Sequence, residues 1–361
     1  MNYYLLALTA IDLFVLCFMC TLTKLSESLS KKQKHGFLLA FTLIAGISVL
    51  ELVTLEVDGM PAEYRWINLA ANYLGFGLSP AVSLCLAYAL NQGDTPWRSL
   101  KFAACCELVY LALLALSLPF GAVFTVSADN VYSRGSLFFL YVLAYAASVI
   151  YLCFFTILTT QEFQNRSRPL VYPLMAFLMV ISFVQVTLPA LNIAWPCITL
   201  LSVLYFIYCN EMWNQLDALT GLLSQKSYLN RTEEMVRNGG VLMVFDADDF
   251  KQVNDHHGHL QGDACLVAIA ECLKKAYARH GYCYRIGGDE FCVLLSSEKS
   301  AGACTQRFLA LLEERRARLP LLPTVSFGSC AFTGEDVVTV KDQADREMYR
   351  YKKEHKGRVS E

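Results

Sequence analysis

Apolar residues first run in long blocks along this chain and then, beyond about residue 209, break into short periodic patterns. Runs near 3–23, 36–57, 66–90, 102–120, 136–160, 170–189 and 192–209 each approach the roughly 20 mostly apolar residues a helix needs to cross a bilayer. Only a few residues around Pro189 and Asn192 part the last two, so six spans with one long broken helix is the competing count. Basic residues decide between them. Lys24, Lys31, Lys32 and Lys34 crowd the first connection, Arg98 and Lys101 the third, and Arg166 and Arg168 the fifth. The second has only Arg65, beside acids, and the fourth only Arg134. The positive-inside rule then puts the odd connections in the cytoplasm and the N-terminus outside. Seven spans bring residue 210 to the cytoplasm, whereas six would export everything after it. The first apolar run lacks a basic leader and a small-residue cleavage site, so no cleavable signal peptide is expected.

The later pattern alternates between strand and helix. VLMVFD (241–246) reads as a strand, and HLQGDACLVAIAECLKKAYARH (259–280) as a helix with Leu266, Ile269, Leu273 and Ala276 on one face. YCYRI and FCVLL read as a hairpin closed by Gly287 and Gly288. AGACTQRFLALLEERRARL is a further amphipathic helix, TVSFGSCAF another strand and VKDQADREMYRYKKEH a closing helix. This predicts an α+β domain, its sheet carrying helices on one face. The organisation is therefore an all-α polytopic membrane bundle of about seven helices over 1–209, a short helical stalk over 210–216, and a cytoplasmic α+β domain over 217–361. The junction CNEMWNQLDALTGLLS has no Gly/Pro-rich linker, and such a connection can pass a shift of the bundle onward.

Composition sharpens this. The chain is 55% hydrophobic and 17% charged, against about a quarter charged in soluble domains. A net charge of -2 argues against a nucleic-acid-binding surface. Eight of the fourteen cysteines lie in or beside apolar runs and the other six lack C-x-x-C spacing, so they are read as small reduced hydrophobes. Asp12, Glu51, Asn68, Asn72, Glu107 and Gln185 fall inside spans. Such residues line a ligand pocket or relay, or hydrogen-bond neighbouring helices. Both readings stand for Asp12, and packing is favoured for Glu51 and the asparagines.

The chemistry gathers around VFDADDFKQVND and RIGGDEF. Asp246 and Asp248 end a strand, followed by Lys251, Asn254 and Asp255. If that strand pairs beside the hairpin, Asp246 converges with Asp289 and Glu290. Three carboxylates so placed need a hard cation between them, and magnesium held by carboxylates and substrate phosphates fits. Lys251 and the basic cluster of Lys352, Lys353, Lys356 and Arg358 would hold a triphosphate.

Residues 217–359 resemble the GGDEF family of diguanylate cyclases. The resemblance rests on DALTGLL at 217–223, FDADDFKQVNDHHGHLQGD at 245–263, RIGGDEF at 285–291, and VSFG with ADREMY near the end. It implies a nucleotidyl-cyclase palm, a central antiparallel sheet with surrounding helices. It implies one GTP per domain and a homodimer in which each 3′-hydroxyl attacks the other GTP's α-phosphate, giving cyclic di-GMP and two pyrophosphates. Asp246, the Ala247 carbonyl and Glu290 then match metal ligands for magnesium or manganese. Asp289 matches the acid that takes the 3′-hydroxyl proton or shares a second metal, and Lys251 the phosphate-neutralising lysine. Asn254 and Asp263 match the guanine readers, and His259 lies at a further substrate-side position. Lys352 and Arg358 match the phosphate ligands of the closing helix, though spaced more widely than usual. Two other departures stand out. Ser224-Gln225 replaces the usual Asn-Arg, and Ala278, Arg279, His280 and Gly281 replace the R-x-x-D of the inhibitory product site. Asp263 favours GTP over mixed adenine-guanine use.

The apolar half loosely resembles seven-transmembrane sensor regions that precede histidine kinases and GGDEF domains, on span count and placement. The expected protein is thus a multi-pass diguanylate cyclase of the inner, cytoplasmic membrane, in contact with lipid and regulated by an unidentified ligand. The alternatives are a catalytically silent GGDEF domain that binds GTP as a signalling module, and a transporter with a nucleotide-regulated tail.

Overall fold

The computed structural model describes residues 3–91, 95–162, 168–187 and 193–359. These form two compact units, one ending at Glu211 and the other beginning at Met212. Gln185, Pro189, Asn192, Arg98 and Arg166, used in the span and charge reading, lie outside the residues whose side chains are described.

The first unit comprises α1 (Tyr3–Leu25), α2 (Lys31–Val57), α3 (Arg65–Leu90), α4 (Thr95–Ser117), α5 (Phe139–Glu162), α6 (Val171–Thr187) and all but the last turn of α7 (Ala194–Asn214). Among the described residues, five helical segments are long and apolar enough to cross a membrane: Tyr3–Leu25, Lys31–Val57, Ala62–Leu90, Ser99–Phe120 and Phe139–Thr160. Their outward faces carry large apolar side chains such as Phe14, Phe18, Phe102 and Phe154. Helices apolar both inside and outside the bundle indicate insertion in a membrane. α2 starts sharply because Ser30 and Gln33 form a reciprocal capping box. It packs tightly on α3 because Gly36 leaves room for Ala89, whose atoms lie 2.7 Å from where a Cβ would stand.

Between α4 and α5 the chain forms a hairpin that the apolar pattern does not announce, β1 (Phe124–Val126) and β2 (Tyr132–Arg134). Asn130 at its tip adopts φ 59°, a left-handed conformation that asparagine tolerates. Its Nδ2 donates to the carbonyls of Val57 (2.7 Å) and Met60 (3.1 Å). Asn68 Nδ2 donates to Asn130 Oδ1 (3.0 Å) and Asp58 Oδ1 (3.1 Å), and Asn72 Nδ2 to Asn68 Oδ1 (2.8 Å). The asparagines inside α3 thus satisfy one another and fasten the hairpin over the end of α2.

The second unit comprises α8 (Gln225–Asn238), β3 (Gly240–Ala247), α9 (Phe250–His257), α10 (His259–Tyr277), β4 (Gly281–Arg285), β5 (Glu290–Leu295), α11 (Ala301–Arg318), β6 (Val325–Phe332) and α12 (Val337–Val359). The four strands form one antiparallel sheet in the order β4-β5-β3-β6. Helices cover both faces, not one as the pattern had suggested. Val241, Met243 and Phe245 face Leu266, Ile269 and Leu273 of α10 and Phe308 of α11. Leu242 and Val244 face Tyr228 of α8 and Val340 and Ala344 of α12. The reason lies in β3 itself, whose apolar run VLMVF is continuous, so both of its faces demand burial. Gly328 of β6 lets α12 lie directly on the sheet, since a Cβ there would stand 2.2 Å from the Ala344 carbonyl oxygen and the Met348 nitrogen. All fourteen cysteines are free thiols.

Candidate functional site

The site forms where β3 runs out at the edge of the buried sheet. The β3–β5 register sets Asp246 directly opposite Glu290, and the β3–β6 register sets it opposite Ser326. Directly opposed residues project to the same face, so two like charges meet there at a cost that a cation removes. Ala247, fully buried, donates its N–H to the Asp289 carbonyl at 3.2 Å. Asp248 is held by Thr324 Oγ1 (2.7 Å) and Ser326 Oγ (2.8 Å).

Among the described residues no group of three His, Cys, Asp or Glu side chains is arranged to hold a metal ion. The convergence of Asp246, Asp289 and Glu290 is therefore realised only as the Asp246–Glu290 pair, with Asp289 in the turn. The cation actually present is Lys352 of α12. Its Nζ bonds Asp246 and lies 3.4 Å from Asp248 Oδ1. Burial works against its charge, but the two carboxylates outweigh this and raise it above the ordinary lysine range. Lys352 thus sits on the carboxylates, not in the open groove as a waiting phosphate ligand. Asp246 and Glu290 give this strand end two opposed carboxylates. Its donors are hard oxygens of the kind a small divalent ion takes. The side chain of Arg358 lies outside the described residues.

The turn between β4 and β5 is a clamp more than a flexible link. Neither Gly287 nor Gly288 has a positive φ, so a left-handed backbone is not what requires glycine there. A Cβ on Gly287 would stand 3.1 Å from Glu290 Oε2, whereas Gly288 faces open space. Arg285 Nε and Nη2 donate to the Gly288 carbonyl at 3.2 and 2.7 Å, and its Nη1 reaches Asp217 Oδ1 at 3.1 Å. Asp217 also accepts from the Thr220 N–H (2.8 Å) and hydroxyl (2.6 Å). The 217–223 segment in turn pairs with β4, through Leu223 N to the Cys283 carbonyl and Arg285 N to the Leu223 carbonyl. The sequence alone gives Asp217 and Arg285 no role, because their contact joins residues 68 apart in sequence.

Burial at Asp217 opposes ionisation, yet the Thr220 and Arg285 interactions outweigh it and hold the carboxyl below its ordinary range. The stabilisation is complete above the unfolded value of about 4 and is lost as pH falls through the lower folded value. Asp217→Asn should therefore melt below wild type at about pH 6, with the gap closing toward about pH 3, as read by thermal unfolding.

After β3 come α9 and α10, joined at Gly258, whose φ of 82° lets the chain reverse between them. Lys251 and His259 are exposed, while Asn254 and Asp263 are half-buried. Gly262, one residue before Asp263, makes room for Asn254. A Cβ there would stand 2.0 Å from Asn254 Oδ1 and 3.1 Å from the Phe250 ring. Gly262→Ala should displace the Asn254 amide and the Phe250 ring and lower the melting midpoint by a few degrees, measured by thermal unfolding.

This α+β domain thus brings two carboxylates together across the end of a central strand, beside a tight Gly-Gly turn and ahead of a short helix. Residues 214–358 match the family model described as diguanylate cyclase, GGDEF domain. Diguanylate cyclase DgcP of Pseudomonas aeruginosa is 37% identical over 161 residues, which cover 40% of this chain and 23% of that protein. Diguanylate cyclase DgcZ of Escherichia coli is 32% identical over 164 residues, covering 43% of this chain and 55% of that protein. A solved microbial GGDEF domain, described in an interaction with cyclic di-GMP, is 33% identical and covers 38% of this chain and 92% of its own, with a TM-score of 0.33. The second unit of this chain is a GGDEF domain. The chain spans 23% of the length of the first of these relatives and 55% of the second.

Proposed function

We propose that the chain is a membrane-bound diguanylate cyclase whose apolar bundle senses a signal and whose GGDEF domain condenses two GTP into cyclic di-GMP. The observation that carries this reading is the cross-strand pair of Asp246 and Glu290, set beside the Gly287–Gly288 turn at the end of β3, after which α9 follows. Under this reading Asp246, the Ala247 carbonyl and Glu290 hold a divalent cation, magnesium or manganese. When bound, that ion supplies charge neutralisation at the reacting phosphates. Lys251 and Lys352 bind the triphosphate, with Lys352 exchanging its carboxylate partners for phosphate oxygens, and Arg358 is assigned to the same task. Asn254 and Asp263 read the guanine edge and His259 flanks it.

Asp289 accepts the proton of the 3′-hydroxyl as that oxygen bonds to the α-phosphorus of the second GTP. The bond from that phosphorus to the bridging oxygen breaks and pyrophosphate leaves. A second such step closes the ring. Each GTP must supply a nucleophile to the other, so two copies of the domain must meet face to face, and the homodimer belongs to the mechanism. The five long apolar helices support membrane attachment. The distribution of Lys and Arg supports seven spans, an outer N-terminus and a cytoplasmic catalytic domain in the inner membrane. The domain limits that go with this reading are 1–209, 210–216 and 217–361.

The test is to incubate the purified full chain with GTP and measure pyrophosphate and guanine dinucleotide together. Two pyrophosphates per cyclic dinucleotide, a divalent-ion requirement and little turnover of ATP are expected. GTP binding without pyrophosphate release would instead favour a silent GTP-binding module.

A further inference from the structure

The first unit encloses a cavity of about 280 Å³ bordered by α2, α3, the hairpin side of α5 and the start of α7. This is near the lower end of the roughly 300–1,000 Å³ typical of small-molecule sites. Aliphatic and aromatic side chains share its wall, the aromatic ones including Phe76, Phe138, Tyr141, Tyr145 and Trp195. Phe76 and Tyr141 meet edge-to-face with centroids 4.7 Å apart, and Phe138 stands 5.8 Å from Phe76 and 5.5 Å from Tyr141. A smaller apolar chamber of about 40 Å³ shares Ser79, Tyr145 and Trp195 with it.

Three charged residues line the main cavity, and two are already engaged. Asp58 accepts from the Tyr132 N–H (2.7 Å) and Asn68 Nδ2 (3.1 Å), and the Arg134 guanidinium lies 4.5 Å from the Phe138 ring centroid. Glu51 of α2 is different. Among the described residues no hydrogen bond or ion pair reaches its carboxylate; only its backbone carbonyl is engaged, by Thr54 Oγ1 at 2.8 Å. An acid inside a bundle, lining a chamber of electron-rich ring faces, presents the chemistry that recognises a cation with an apolar body.

We propose that this cavity binds a small organic amine or quaternary ammonium, its cationic head at Glu51 among the aromatic rings and its apolar body toward Trp195. The inference rests on reading the first unit as a sensor and names the class of ligand it takes. It also gives Glu51 a binding role where its sequence position had favoured packing alone.

The test uses the full chain in phosphatidylcholine nanodiscs and equilibrium dialysis with radiolabelled benzyltrimethylammonium. Saturable binding near one per chain is expected, reduced at least tenfold in Glu51→Gln and largely retained in Glu51→Asp. Neopentylbenzene, the neutral isostere, should not compete. Tyr141→Leu provides a second variant with the acid intact, and it too should weaken binding. Size-exclusion elution and thermal unfolding report whether each variant has folded. Uptake equal to that of empty nanodiscs, binding unchanged in Glu51→Gln, or equal competition by the neutral isostere would overturn the proposal. Binding in a sample that does not turn over GTP would sustain this site and count against the cyclase reading; turnover without binding would do the reverse.

Discussion

Glu290→Gln should leave the full chain folded and able to bind GTP while slowing cyclic di-GMP formation by about a hundred- to a thousandfold. The substitution keeps the size of the side chain and removes only its charge. Glu290 is exposed at the start of β5, so no core contact is lost. Its charge faces Asp246 across the strand pair, and removing it relieves the repulsion between the two carboxylates. Stability should therefore hold or rise slightly while activity collapses, a combination that damage to the fold would not produce. Thermal unfolding and product formation on the same preparation separate the two. Undiminished turnover would mean that the Asp246–Glu290 pair does not hold the ion that neutralises the reacting phosphates.

Arg285→Ala should have the largest combined effect on stability and rate. The guanidinium is only 15% exposed and joins the Gly288 carbonyl to Asp217, which is 24% exposed. Truncation leaves a half-buried carboxylate without its cation and a turn carbonyl without its donors, a loss of about 2 kcal/mol or more. For a domain of this size that lowers the melting midpoint by several degrees. Loosening the turn that carries Asp289 and Glu290 should lower kcat about ten- to a hundredfold. Arg285→Lys should rescue little, because one ammonium cannot reproduce a fork that serves two acceptors. In a double-mutant cycle with Asp217→Ala the stability losses should be markedly less than additive. Additive losses would show that the two side chains act independently.

What the chain discloses before folding depends on how local each signal is. The long apolar runs announce their helices because a bilayer-spanning segment needs nothing from its neighbours to be recognised. VLMVF and FCVLL announce strands because β-branched and aromatic residues are bounded by glycine or acid. The site motifs are equally legible, since Asp246, Glu290, Asn254 and Asp263 lie within short blocks. Polar α8 and eight-residue α9 are less visible, lacking a long apolar stripe. The β1–β2 hairpin is hidden because its anchor, Asn130, works through Asn68, 62 residues away. The Lys352–Asp246 bond spans 106 positions, so the resting partner of that lysine depends on how α12 docks through Gly328. The cavity at Glu51 is a product of helix packing alone, and no periodicity in one helix reports it.

The most direct measurement is the identity of the nucleotide recovered when the purified full chain, in lipid nanodiscs with magnesium, is given GTP alone. Chromatography of that mixture should return cyclic di-GMP, absent when the metal is chelated. Recovery of intact GTP from a chain that binds it tightly, or of any product other than the cyclic dinucleotide, would contradict the account.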